Sequence, residues 1–129
     1  MTINLVPLFI ATVFHIGLAT LWYSRFLFGK KWASLSHVSL DEKPVWYAFP
    51  IMFVLTFISV FFFSILIFFF SPLYIFALLL SFFLWLAFII PLAIYPILWE
   101  KKPWTLFFIN GGFYLVSFLC IGTILYLFQ

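Results

Sequence analysis

The chain has 129 residues, 68% of them hydrophobic and 7% charged, with a formal net charge of +3. A soluble fold of this length leaves much of its area in water and cannot hide so much apolar surface. Six scattered cations make no basic face for a nucleic acid, so composition points to a bilayer.

A transmembrane helix takes about 20 predominantly apolar residues to cross a hydrocarbon core of roughly 30 Å. The first such run extends from about Leu5 to Tyr23, with Pro7 in its first turn, where a missing N–H costs little. No cation precedes Arg25, so the run lacks the positive n-region of a signal peptide and is expected to be kept as a helix. It ends in LWYSRFLFGKKW, a mixture of amphipathic aromatics and cations that reads as a membrane border. Phe26, Leu27 and Phe28 suggest a short helix or turn lying in the interface, with Arg25, Lys30 and Lys31 reaching toward anionic headgroups.

The following loop, to Pro44, is the longest polar stretch, and His37 within it reads as a solvated side chain. Ser39-Leu40-Asp41-Glu42 resembles a capping box, yet a helix capped by Ser39 sets Pro44 where an N–H is required. Asp41 as N-cap sets Pro44 at the third helical position, so the second helix is expected to start there. Its span covers about 45–70. Ser71-Pro72 then breaks the pattern and predicts a tight hairpin into a third span over about 73–98. Trp85 falls near the middle of that span, where its indole N–H demands a partner inside the bundle. Pro91 and Pro96 are expected to kink its inner end. A fourth span covers about 104–128 and carries Gly111-Gly112, read as a close-packing site, and Cys120, read as a buried small hydrophobe. The fold class is all-α: one domain, 1–129, of four transmembrane helices in an antiparallel bundle, with a short interfacial segment after the first.

All six cations lie in two loops, 24–44 and 99–103. The positive-inside rule assigns both loops to the cytoplasm and both termini to the outside. Trp22, Tyr23, Trp32, Trp46, Tyr47, Tyr95, Trp99 and Trp104 crowd the same border, whereas Tyr74 and Tyr126 mark the other. An ion pair from Glu100 to Arg25 or Lys30 is expected across that cytoplasmic surface.

No Asp, Glu, Lys or Arg lies at membrane depth, which argues against a carboxylate proton relay or two-carboxylate hydrolysis. His15, Asn110, Tyr114 and Ser117 form the candidate polar cluster. His15 is seven residues before Trp22, roughly 10 Å in from the border, and Asn110 is six past Trp104, about 9 Å in. Asn110, Tyr114 and Ser117 share a helix face, and Ala11 and Ala19 flank His15 by one turn each. The first and fourth spans are therefore expected to pack together, with His15 near Asn110 or Tyr114. The cluster serves either as interhelical glue or as a His-centred solute, proton or ligand site.

Two stretches carry a family resemblance. Trp22-Tyr23-Ser24, Phe28-Gly29-Lys30 and Trp32 match a W-Y-S-P-x-x-F-G-K-x-W signature; Trp99, Glu100, Lys102 and Pro103, then Ile109-Asn110 and Gly112, match F-E-G-R-P followed by I-N-x-G-Y. With these the chain resembles the small bacterial membrane proteins called domain of unknown function 1761. Arg25 stands at the signature's proline, Lys101 at its glycine and Phe113 at its tyrosine. The resemblance implies a four-helix integral membrane protein and brings no activity.

With no Ser-His-Asp set, metal-ligand spacing, phosphate loop or acidic pair, catalysis, metals and cofactors are not expected. The leading reading is a non-enzymatic module of the bacterial inner membrane that self-associates or accompanies a membrane complex. The alternative is a minimal transporter or channel for a small solute, acting as an oligomer. Expected partners are anionic headgroups on the cytoplasmic side and a second copy or another membrane protein, with no nucleic acid.

Overall fold

A computed structural model describes residues 3–129. Six α-helices follow in order: α1 (Leu5–Trp22), α2 (Gly29–Ser36), α3 (Ala48–Phe70), α4 (Tyr74–Leu84), α5 (Ile90–Trp99) and α6 (Trp104–Leu127). A π-helical turn, Trp85–Ile89, joins α4 to α5, so that Tyr74–Trp99 is one continuous span. Together with α1, α3 and α6 it makes four helices long and apolar enough to cross a membrane, and no strand occurs among the described residues.

Each helix end has a local cause. Asn4 starts α1 by accepting the Val6 N–H on its side-chain oxygen at 3.0 Å. The π turn precedes Pro91, whose ring would collide with the Ala87 carbonyl four residues back in a regular helix. Widening that turn relieves the clash, and the Ile90 N–H reaches back five residues to the Trp85 carbonyl. The strain expected of Pro91 thus appears as a wide turn on its N-terminal side. Past α5, Lys101 takes a left-handed conformation with φ 57°. The N–H groups of Glu100 and Lys102 both donate to the Pro96 carbonyl, at 3.0 and 3.2 Å.

Two loop expectations are corrected. The second long helix starts at Ala48, not at Asp41. The Asp41 carboxylate is held by the Arg25 guanidinium instead of capping a helix, and Pro44 biases Lys43 away from helical backbone. The third helical position expected for Pro44 is taken by Pro50. Phe26–Phe28 form a turn, one of the two forms expected there, and a short helix follows at Gly29–Ser36, ended by His37 with left-handed backbone. Glu100 forms no ion pair among the described residues: Arg25 pairs with Asp41, and Lys30 and Glu100 are both exposed, where such a pair is worth little.

The core lies around α6, which touches every other helix. Leu8 and Ala11 of α1, Val60, Phe63 and Ile67 of α3, Ala77 of α4, and Ile121 and Leu125 of α6 form the buried cluster. At Gly122 the backbones of α6 and α4 approach so closely that a methyl group would overlap Ser81 Oγ. Gly111 and Gly112 play no such part: an added methyl at Gly111 would be 3.9 Å from Ile90, and one at Gly112 would be 3.4 Å from Trp22.

Candidate functional site

The end of α1 folds back on itself. The Phe28 N–H donates to the Trp22 carbonyl at 3.0 Å and the Gly29 N–H to the Ser24 carbonyl at 2.8 Å. The Ser24 hydroxyl donates to the Leu21 carbonyl and accepts the Phe26 N–H. Gly29 sits inside this corner: a Cβ there would overlap the Tyr23 carbonyl oxygen and lie 2.5 Å from that of Ser24. Backbone oxygens cannot swing aside, so the turn requires glycine.

The corner points two aromatics at α6. The Trp22 indole donates to the Ile109 carbonyl at 3.0 Å, and the Tyr23 hydroxyl donates to Asn110 Oδ1 at 2.7 Å. Phe28 packs on Trp22 with ring centroids 4.9 Å apart, and Trp32 of α2 meets Tyr23 edge-on at 5.3 Å. Gly112 lies beside the Trp22 ring, where an added methyl would make ordinary contact at 3.4 Å. Trp22, Tyr23, Ser24, Phe28, Gly29 and Trp32 therefore form one corner with Ile109, Asn110 and Gly112. The two stretches that carry the resemblance meet here. Lys30 and Glu100 are exposed and Lys102 half-buried; no side-chain hydrogen bond ties them to the corner among the described residues.

That contact fixes the register farther in. Seven residues back from Trp22 and eight on from Ile109 are both about 10–12 Å along their helices. Those positions are His15 and Ser117, and His15 Nδ1 lies 2.5 Å from Ser117 Oγ. The ring of His15 also packs against Phe113 at 5.2 Å and Tyr114 at 6.4 Å between centroids. Asn110, expected as a partner of His15, is instead engaged by Tyr23 one level nearer the border. Trp85 turns inward and donates to the Gly111 carbonyl at 2.9 Å.

Most hydroxyls in the spans bond back to their own helix: Thr12 to Leu8, Ser59 to Leu55, Ser81 to Ala77 and Thr123 to Leu119. Thr56 and Tyr114 do not; no described residue hydrogen-bonds either hydroxyl. Both line a cleft of about 250 Å³ with His15, between α3 and the π turn and floored by α6. Thr56 escaped the sequence reading, since a span threonine ordinarily back-bonds and gives no signal of its own. A larger cavity of about 290 Å³ lies near the chain termini. Its polar lining is already engaged: Asn4 caps α1, and Gln129 donates to the Ser71 carbonyl.

The cleft offers one imidazole and two hydroxyls with no carboxylate or cation, a set suited to hydrogen bonding and unsuited to holding a metal. Among the described residues no three His, Cys, Asp or Glu side chains come together. No curated protein and no solved structure matches the chain. The corner nonetheless unites the two signature stretches from opposite ends of the sequence, and a family model matches across both, over residues 6–126. The chain belongs to the family described as Protein of unknown function (DUF1761).

Proposed function

We propose that this integral membrane protein is a non-enzymatic module of the bacterial inner membrane that self-associates or accompanies a larger membrane complex. Its termini lie outside, and loops 24–44 and 99–103 face the cytoplasm, where Arg25, Lys30 and Lys31 meet anionic headgroups. The observation that supports it is where the polar groups go. Trp22, Tyr23, His15 and Trp85 all bond α6, so the seam is held by hydrogen bonds at successive depths. The third span is the least buried of the four, which leaves an apolar flank for lipid or a partner helix.

Native mass measurement in mild detergent tests the association: a second copy or a bound membrane protein is expected, and a bare monomer at all detergent levels overturns it. Orientation is read in a Cys120→Ser background by adding an impermeant thiol reagent to intact cells. Gln129→Cys should label and Ser39→Cys should not; the reverse pattern refutes the assignment. A second reading, a minimal transporter acting as an oligomer, draws on the π turn beside the cleft, since such turns recur at functional sites. Solute flux into vesicles that carry the protein separates it from the first.

A further inference from the structure

We propose that the cleft between α3 and the π turn binds the uncharged polar head of a lipophilic molecule that enters sideways from the bilayer. The position of the cleft supplies the direction of entry. His15, Thr56 and Tyr114 lie seven, eight and ten residues in from Trp22, Ala48 and Trp104, all at the same end of the spans. At 1.5 Å per residue that is about 10–15 Å deep, near the middle of a core of roughly 30 Å. Met52, Leu55 and Ser59 on the rim are exposed on the outer side of α3, so the mouth faces lipid and not water.

The lining supplies the chemistry. Thr56 and His15 are 7% and 9% exposed, and the Thr56 and Tyr114 hydroxyls have no partner among the described residues. His15 Nδ1 is committed to Ser117, which leaves Nε2 as the ring's free hydrogen-bonding atom. A polar group in an apolar setting without a partner costs free energy that a ligand head would recover. Two hydroxyls and one imidazole nitrogen can give and take hydrogen bonds, so a hydroxyl or carbonyl head is matched. A carboxylate, phosphate or ammonium head finds no opposite charge in this lining and is disfavoured. At about 250 Å³ the space holds a head and the start of a chain, below the usual range for whole drug-sized ligands.

The inference rests on the spans lying in a bilayer and not on self-association. The protein is reconstituted into lipid nanodiscs, and its co-elution with the discs checks bilayer insertion separately. Three photoreactive probes of equal chain length are then compared, ending in a hydroxyl, a carboxylate and a methyl group. The hydroxyl probe should label the segments Met52–Phe63 and Tyr114–Ile121 and be displaced by an unlabelled long-chain alcohol. Thr56→Val and Tyr114→Phe remove hydroxyls that hold no helix together, so both variants should fold. Each should cut that labelling about fivefold, the equivalent of one hydrogen bond. Equal labelling by the methyl probe means that ordinary lipid chains fill the cleft and overturns the proposal. So does preferred labelling by the carboxylate probe, or labelling by the hydroxyl probe that neither substitution changes.

Discussion

Replacing Gly122 by alanine probes how tightly α6 and α4 are joined. The new methyl group overlaps Ser81 Oγ and lies 3.3 Å from Ser81 Cβ and 3.4 Å from the Ala77 carbonyl oxygen. Ser81 is fully buried, and its hydroxyl donates to the Ala77 carbonyl at 2.7 Å, so Oγ cannot rotate away without surrendering that bond. The helices must part or the serine must turn, and overpacking of this kind costs about 1–3 kcal/mol. In a Ser81→Ala background the overlap disappears and only the contacts at 3.3 and 3.4 Å remain, which neighbours relieve by shifting a few tenths of an ångström. The same Gly122→Ala change should then cost less than about 1 kcal/mol; set against the middle of that range, about 2 kcal/mol, this is a coupling of about 1 kcal/mol or more between the two positions. Equilibrium unfolding in mixed micelles, followed by tryptophan fluorescence and helical circular dichroism for all four proteins, gives the cycle. An equal cost in both backgrounds would refute the close-approach argument.

Three further outcomes follow from the corner and the loops, each read by the same unfolding measurement. Gly29→Ala forces a methyl group against two backbone oxygens and should cost about 3 kcal/mol, at the top of the overpacking range. Gly17→Ala, with nothing within 4 Å of the new methyl group, should change stability by less than about 1 kcal/mol; equal effects at the two glycines would contradict the described turn. Lys101→Gly relieves a left-handed backbone at φ 57° and should stabilise by about 1 kcal/mol, whereas a loss would mean that the lysine side chain matters more than its backbone. Tyr23→Phe and Asn110→Leu, alone and combined, should show a coupling of about 0.6 kcal/mol and at most about 2; strict additivity would show that their 2.7 Å bond is energetically empty.

The four spans were legible because the signal is long and redundant: each run of about 20 apolar residues leaves a helix as the only local solution in lipid. Trp85 was legible for a similar reason, since one obligatory donor near the midplane has few places to go. The second helix start was not. Two acidic residues beside a proline satisfy a local capping rule, but Asp41 is drawn to Arg25, sixteen residues earlier, and local rules carry no knowledge of that contact. His15 does lie beside Tyr114 on α6 as expected, but its bonding partner within the cluster, Ser117, was not singled out, on the same ground. Distance from the border put Asn110 and Tyr114 within range, but the choice among three residues on one face needs the register of α1 on α6. That register is set by Trp22 reaching Ile109, a contact visible only in three dimensions. The glycines show the limit best. Paired Gly111-Gly112 drew attention, yet the close approach falls on solitary Gly122, where the facing residue is a serine on another helix.

The corner also bears on where the function lies. The signature residues that make its close contacts have structural duties: Gly29 admits the turn, and Trp22 and Tyr23 lock α1 to α6. Lys101 holds left-handed backbone at φ 57° between α5 and α6, a conformation that glycine adopts without strain, so this position too is governed by backbone conformation. Residues that build a joint need no ligand to account for them. The opposite holds for Thr56, which belongs to neither signature stretch, and for Tyr114, which closes the second without filling one of its matched positions. No described residue engages their hydroxyls, although both stand at the wall of an apolar cleft. Unmet hydrogen-bonding capacity at membrane depth is unfavourable for the isolated protein. The polar groups with structural partners therefore account for the fold; of those without them, the buried Ser71 hydroxyl lies at the end of α3, and the Thr56 and Tyr114 hydroxyls direct attention to the cleft.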